Sequence, residues 1–304
     1  MPSGRSAVGR APAKAIIVGE HFVVYGCPAV AVPIPDLVLE ATLSQRDPGP
    51  PHVGHVGACL AVLHERFGGP PPTHLDVSVK SDIPQGSGLG SSAALSVALA
   101  RAYLRMCGRE PLDHDVREAS LACERIAHRH PSGIDTEVAL TGMALRFERG
   151  KPPVPVRIKG WIGLIVADTG IASATAEMVA AVAARREADR AEFDRLLHVA
   201  AQKADEAENA LALGDTDSLG LVLIAGQALL DEIGVVTEEV WRVVTAAREA
   251  GALGAKVTGA GGGGAVLAVH HISSIPGIAA RMRSGKVRVI SAGTLGEFEP
   301  EGEP

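Results

Sequence analysis

The sequence predicts a protein of two domains in which strands and helices are mixed. Its 304 residues exceed the comfortable size of one compact domain. Short β-prone segments dominate the first part of the chain, whereas residues 176–250 are rich in Ala, Glu and Arg and read as long helices. Gly214 and Gly234 are expected to interrupt these helices.

The strands are predicted from β-prone runs and from alternation of apolar and polar residues with period two. Gly19, Glu20 and His21 separate the first two runs, so we predict a hairpin with a polar break. The predicted strands are residues 15–18, 22–25, 29–33, 38–43, 74–80 and 161–168.

Three helices are predicted before residue 130. Val56, Leu60, Leu63 and Phe67 have the spacing of one buried helical face. An alanine-rich helix begins near residue 93, with Ser91 or Ser92 in its capping region. The third helix is expected over residues 115–128.

Composition argues against several classes of partner. The net charge is −6, no basic tract occurs, and aromatic residues make up only 3% of the chain, so we predict no nucleic-acid partner and no membrane surface. The four cysteines have no CxxC spacing, which predicts reduced thiols. The first ten residues lack the apolar segment of a signal peptide, and we therefore predict a cytoplasmic protein.

A glycine-rich loop, residues 83–94, separates a predicted strand from the alanine-rich helix. Gly86, Gly88 and Gly90 lower the cost of unusual backbone angles and let N–H groups approach a ligand, while the helix adds a positive dipole end. No GKS or GKT follows, and the GxGxxG spacing is absent, so neither a Walker A loop nor a dinucleotide fingerprint is present. The loop predicts a polyphosphate-binding site, whereas the simplest alternative is an ordinary strand-to-helix turn.

A second glycine tract, residues 259–264, lies between Lys256-Val257-Thr258 and an apolar strand. The tract could be a flexible hairpin loop. So many glycines lose much backbone entropy on folding, however, and they therefore indicate that another group approaches the backbone closely.

Three segments together resemble the GHMP kinase superfamily. They are residues 11–26, which contain Lys14 and the sequence GEHFVVYG, the loop at residues 84–94, and residues 256–263 with the sequence KVTGAGGG. Within the superfamily the chain is most similar to the mevalonate kinase family, because GEHFVVYG and the PSGID of residues 131–135 resemble its motifs. Several separated motifs in the right order are more specific than any one of them.

The resemblance implies an α+β fold with two domains. Residues 1–165 would form an N-terminal, ribosomal-protein-like ATP-binding domain, and residues 166–304 a C-terminal, ferredoxin-like domain. It also implies an ATP-dependent kinase that transfers the γ-phosphate to the primary hydroxyl of mevalonate or a related alcohol, with ATP and Mg²⁺ as cofactors. A homodimer is compatible with the sequence, which leaves the oligomeric state open.

The resemblance also assigns roles to individual residues. Asp135 would be the catalytic carboxylate at the acceptor hydroxyl, as general base or electrostatic anchor. Lys14, next to it, would also be catalytic and would stabilise charge on the transferring phosphoryl group. Ser92 and Glu124 resemble the family's magnesium ligands. The cofactor-binding residues would be Pro84, Gly86, Ser87, Gly88, Leu89, Gly90, Ser91, Ser92 and Gly261. The substrate-binding residues would be Glu20, His21, Ser132, Thr175 and Gly262.

The residue types alone allow other interpretations. Lys14 could be a solvent-facing strand residue, Asp135 a turn former, and Glu124 a helical partner of His128. Arg129 replaces the family's usual glycine, and Leu95 stands where many mevalonate kinases have a tyrosine. A sugar or phosphomevalonate kinase is therefore an alternative, and a nucleotide-binding sensor without catalysis is another.

Overall fold

The computed structural model describes residues 5–127 and 133–297, which form two compact units. The first unit contains the described residues of Met1–Ala13, Leu37–Pro84 and Gly90–Gly142. The second contains those of Lys14–Asp36, Gln85–Leu89 and Met143–Pro304. The chain passes repeatedly between the units, and the predicted division at residues 165 and 166 stays a prediction about the family's domains.

The first unit combines part of a sheet with helices. Its elements are β1 (Ser6–Val18) and β2 (Ala29–Gln45), which both continue into the second unit, α1 (Gly54–Phe67), β3 (Leu75–Ser81), α2 (Ser91–Met106), α3 (Asp113–Ala127) and α4 (Ile134–Thr141). Strand β3 pairs antiparallel with β2, from Leu39 opposite Ser81 to Gln45 opposite Leu75. Helix α2 packs against α1, α3 and α4. Its small alanine side chains allow this close packing.

Helix α2 is fixed to β1 by arginines and by one glycine. Arg105 donates to the carbonyl of Val8 at 2.6 Å, and Arg101 donates to that of Arg10 at 2.7 Å. A Cβ at Gly9 would lie 2.0 Å from the Ala98 carbonyl oxygen, so only glycine fits there. The strand therefore sets the position of α2, whose first turn carries the end of the glycine loop.

The second unit contains a four-stranded antiparallel sheet covered by helices. Its elements are β4 (Leu145–Phe147), β5 (Val154–Pro155), β6 (Ile162–Asp168), α5 (Thr175–Ala188), α6 (Arg190–Leu213), α7 (Thr216–Glu232), α8 (Glu238–Glu249), β7 (Gly254–Thr258), β8 (Ala265–His270), α9 (Ile275–Ser284) and β9 (Arg288–Leu295). The strand order is β7-β8-β6-β9. Asp189 and Asp215 cap α6 and α7 by accepting backbone N–H bonds, which explains why the helical region breaks at these places.

Strand β7 is an edge strand, and α7 lies directly against it. Gln227 on α7 accepts a hydrogen bond from the Val257 N–H at 2.9 Å. A Cβ at Gly254 would lie 2.0 Å from the Gly220 carbonyl oxygen, so two glycines bring helix and strand together. This packing covers an edge that would otherwise leave backbone groups unpaired. It also fixes the strand that leads into the second glycine tract.

Two strand predictions are wrong in detail. Phe22–Tyr25 forms a short 3-10 helix instead of a strand, because the chain turns at His21 and ends the helix at a left-handed Gly26. Residues 29–33 and 38–43 belong to one strand, β2. Its prolines lie between the residues that pair with β4 and those that pair with β3, so they remove no bond from either pairing.

The predicted strands at residues 74–80 and 161–168 and the three helices before residue 130 agree with the observed elements to within a few residues. The predicted strand at residues 15–18 is only the end of β1, which begins at Ser6. Among the residues that the structure describes, we find no helix with the length and apolar character needed to cross a bilayer.

Candidate active site

The first glycine loop has the backbone conformation that its sequence predicts. Gly86, Gly88 and Gly90 have φ angles of 69°, 76° and 77°, in the left-handed region. Gly90 is the N-cap of α2, so Ser91 and Ser92 are the first helical residues rather than caps. The first N–H groups of α2 have no acceptor within the helix and form the positive end of its dipole. This arrangement suits a bound phosphate.

Within the second unit, the loop residues Gln85–Leu89 are tied down by their own carbonyl groups. The Ser173 N–H donates to Gly86, and the Ala265 N–H donates to Ser87, both at 2.8 Å. The Lys14 N–H donates to the Leu89 carbonyl at 3.1 Å. Three separate segments therefore hold the loop in place.

Lys14 also contacts the loop through its side chain. Its Nζ donates to the Gly88 carbonyl at 3.1 Å, and the side chain is almost completely buried. The alternative of a solvent-facing strand lysine is therefore wrong. A buried ammonium group at a phosphate-binding loop exerts a stronger electrostatic effect than an exposed one, because water screens it less.

The second glycine tract packs against the first loop. A Cβ at Gly88 would lie 2.8 Å from the Thr258 carbonyl oxygen, and one at Gly259 would lie 3.0 Å from that of Gly88. A Cβ at Gly264 would lie 2.8 Å from the Ser87 carbonyl oxygen. The predicted close approach is confirmed, and at Gly259 and Gly264 the approaching group is the backbone of the first glycine loop.

We expect Gly88→Ala to destabilise the protein by about 1–3 kcal/mol and to raise the KM for ATP. The added methyl group meets the Thr258 carbonyl, and alanine disfavours a φ of 76°. Gly142→Ala is the matched control, since Gly142 has a φ of 66° but open space around the added Cβ. Thermal unfolding and ATP kinetics test the difference. Equal losses in both variants, with an unchanged KM for ATP, would contradict this explanation.

Two glycines of the tract with predicted ligand roles also have protein neighbours. A Cβ at Gly261 would lie 2.4 Å from the Val235 carbonyl oxygen, and one at Gly262 would lie 3.0 Å from Met178. Ser173 donates to the Gly261 carbonyl at 2.8 Å. Packing against a backbone carbonyl therefore requires glycine at position 261. At position 262 the φ of 67° favours glycine, whereas the Met178 side chain could shift. The ligand contacts of both glycines stay predictions.

The Glu20-His21 turn is held by the segment that carries the second tract. His21 has a φ of 63°, which is rare for residues other than glycine, and its Nε2–H donates to the Ala260 carbonyl at 2.8 Å. Burial lowers the pKa of His21, against the opposing effect of this hydrogen bond. The ring is therefore neutral near pH 7, and its Nδ1 is a hydrogen-bond acceptor.

Glu20 is not a solvent-facing carboxylate. It is 3% exposed and forms an ion pair with Lys256, which is completely buried. Burial lowers the pKa of Lys256, and the Glu20 charge opposes this shift. The sequence motif contained Lys256, but sequence reasoning assigned it no role.

In the first unit, Ser92 and Glu124 lie together as the resemblance implied. The Ser92 hydroxyl donates to Glu124 Oε1 at 2.6 Å, and the Ser96 hydroxyl donates to the same oxygen at 3.0 Å. Ser92 and Ser96 are one helical turn apart on α2, and Glu124 faces them from α3. Sequence reasoning missed Ser96, although its spacing of four from Ser92 was a signal. A hydroxyl and a carboxylate in contact suit Mg²⁺, which prefers oxygen ligands.

We expect Glu124→Gln to raise the Mg²⁺ concentration needed for half-maximal activity by at least about 10- to 100-fold. Glutamine keeps the size of the side chain and an acceptor oxygen but removes the negative charge. Glu118→Gln is the matched control, because Glu118 lies on the same helix and pairs with Arg66 on the surface. Activity measured over a range of Mg²⁺ concentrations tests the prediction, and identical curves for both variants would refute it.

Two further predicted residues, Asp135 and Thr175, lie at helix starts. Asp135 is half-buried in the first turn of α4, after the left-handed Gly133, and α4 packs on α2 and α3. Thr175 is the exposed first residue of α5. Ser132, His128 and Arg129 lie outside the described residues. The proximity of Lys14 to Asp135 stays a prediction.

Comparison with known proteins identifies the family. The model of the GHMP kinase N-terminal domain matches residues 54–143, and that of the GHMP kinase C-terminal domain matches residues 207–285. The mevalonate kinase of Aeropyrum pernix is 37% identical over 286 residues, 86% of this chain and 88% of that protein. The chain belongs to the GHMP kinases.

Further relatives support the assignment of this chain to the GHMP kinases. The mevalonate kinase of Methanothermobacter thermautotrophicus is 34% identical, with 85% of this chain and 88% of that protein covered. The structure of L. major mevalonate kinase in complex with R-mevalonate matches with a TM-score of 0.86 and 24% identity over 97% of each chain. Methanococcus jannaschii mevalonate kinase matches with a TM-score of 0.82 and 21% identity, covering 97% of this chain and 100% of that chain.

These comparisons confirm the predicted two-domain α+β fold of the GHMP kinases. They also establish the general activity. This GHMP kinase is an ATP-dependent phosphotransferase that acts on an alcohol group.

Proposed function

We propose that this GHMP kinase transfers the γ-phosphate of ATP to the primary hydroxyl of mevalonate. The observation that carries the proposal is its similarity, over most of its length, to relatives named mevalonate kinase. The Glu20-His21 turn also supports the proposal. A neutral His21, held by its hydrogen bond to Ala260, offers Nδ1 as an acceptor to a hydroxyl group.

ATP would bind at the first glycine loop. The N–H groups at the start of α2 would receive phosphate oxygens, and Lys14 would supply positive charge from the Gly88 side of the loop. Ser92 and Glu124 would hold Mg²⁺, which neutralises phosphate charge during transfer. Because the loop is already tied to Lys14, Ser173 and Ala265, little of it has to reorganise on binding.

Asp135 and Lys14 would act on the acceptor. Asp135 would accept the proton of the hydroxyl or orient it by hydrogen bonding, and Lys14 would stabilise negative charge that develops on the transferring group. Phosphoryl transfer depends mainly on positioning and electrostatics, so a carboxylate and an ammonium group are sufficient chemistry for this step.

A coupled assay of ADP release, with purified protein and Mg-ATP, tests the acceptor. We expect turnover with mevalonate and much lower kcat/KM with phosphomevalonate and galactose. Preference for phosphomevalonate or galactose would identify another GHMP kinase specificity. ATP binding without turnover of any acceptor would indicate the nucleotide-binding sensor.

We also propose that the reaction takes place in the cytoplasm. All four cysteines, Cys27, Cys59, Cys107 and Cys123, are free thiols, as expected in a reducing compartment. The oligomeric state, for which a homodimer was considered, stays a prediction.

A further inference from the structure

The buried ammonium group of Lys256 donates three hydrogen bonds within the second unit. Its Nζ donates to the Glu20 carboxylate, to the Ile16 carbonyl at 3.2 Å and to the Val257 carbonyl at 2.7 Å. An ammonium group has three N–H donors, so all of them are used. Lys256 is 0% exposed, so these three groups replace water as the partners of its ammonium group.

These contacts join the Glu20-His21 turn to the β7 segment at two points. Lys256 binds Glu20, and four residues later Ala260 accepts the hydrogen bond from His21. A further hydrogen bond joins the end of β1 to β7, because the Ile16 N–H donates to Thr258 Oγ1 at 2.7 Å. The unusual positive φ of His21 therefore lies between two fixed points.

The ion pair of Glu20 and Lys256 also affects the binding of anions, because Lys256 neutralises the Glu20 carboxylate. A buried carboxylate without a partner is very unfavourable, and it repels another anion nearby because the protein interior screens charge poorly. Mevalonate is a hydroxy acid with its own carboxylate. An uncompensated charge on Glu20, the residue next to His21, would oppose its binding.

We propose that Lys256 is a positioning residue for the acceptor: it neutralises Glu20 and fixes the His21 turn, so that this site accepts an anionic alcohol. The proposal rests on the proposed function, because it requires mevalonate to be the acceptor. It assigns to Glu20 the role of orienting His21 together with Lys256. Lys14, which also carries a positive charge near Lys256, has the separate role of contacting the glycine loop.

The test compares Lys256→Met with the double variant Glu20→Gln/Lys256→Met. We expect Lys256→Met to raise the KM for mevalonate by about 30-fold or more, since it leaves a buried charge unpaired, while the KM for ATP changes by less than about threefold. The double variant has no unpaired charge and should recover most of this loss. Lys203→Met is the matched control, because Lys203 pairs with Glu206 on the surface of α6 and should behave as wild type.

A neutral analogue separates positioning from a general structural role. Mevalonamide, in which an amide replaces the carboxylate, should bind Lys256→Met almost as well as wild type when measured as an inhibitor. Equal losses for mevalonate, mevalonamide and ATP, or a double variant as impaired as Lys256→Met, would overturn the proposal.

The outcome does not depend on the folding of one variant. If Lys256→Met does not fold, the preference for mevalonate over mevalonamide must be larger in Glu20→Gln, which retains the buried cation, than in the double variant. An equal preference would overturn the proposal. Failure of the proposed function is recognised separately, since wild-type protein would then not turn over mevalonate.

Discussion

Asp135→Asn is expected to lower kcat by about 10²- to 10⁴-fold while leaving ATP binding almost unchanged. Asparagine has the same size but can neither accept the proton of the acceptor hydroxyl nor provide a negative charge to orient it. Asp135 lies in the first turn of α4, and asparagine is tolerated at helix starts, so the fold should persist. Steady-state kinetics with mevalonate and a direct ATP-binding measurement test this prediction.

Asp113→Asn is the matched control for Asp135→Asn. Asp113 occupies the first turn of α3 and is exposed, so its loss should have little effect on kcat. An Asp135→Asn variant with turnover close to wild type would exclude Asp135 as the catalytic carboxylate. A comparable loss of kcat in both variants would show that kcat depends on negative charge at the helix starts and not on acid–base chemistry by Asp135.

Lys14→Met is expected to lower kcat by about 10²- to 10³-fold, as expected when a group that stabilises transition-state charge is removed. Methionine fills similar volume, but it cannot donate to the Gly88 carbonyl or supply positive charge. Because the backbone N–H of Lys14 continues to bind Leu89, the loop should keep its position. The loss should therefore appear in kcat more than in the thermal unfolding midpoint.

Lys80→Met provides the comparison for Lys14→Met. Lys80 is an exposed lysine on β3, opposite Glu40 in the neighbouring strand, and its replacement should leave kcat unchanged. If Lys14→Met retained full kcat and lost only stability, Lys14 would be a structural support of the glycine loop and not part of the catalytic machinery.

Local sequence was sufficient for most elements and for the conformation of the first glycine loop. The glycines at 86, 88 and 90 adopt left-handed angles because only glycine does so at little cost, a property of the residue itself. The helix that begins at Ser91 follows from alanine-rich composition. The same local reasoning failed at Phe22–Tyr25, where the buried packing of Phe22 on Phe193 favours a compact turn over an extended strand.

The sequence by itself therefore determined the family and the glycine loop whose conformation suits phosphate, and the resemblance implied that Ser92 and Glu124 belong to one site. Their hydrogen bond is a contact between α2 and α3. Only the tertiary structure decided which residues far apart in the sequence contact one another. Glu20 and Lys256 are 236 residues apart, and neither has a local property that predicts the other as its partner. The second glycine tract likewise indicated a close approach but could not identify Gly88 as the neighbour. Such contacts depend on how β1, β7 and the loops pack, because burial and charge compensation are properties of the folded chain and not of a segment.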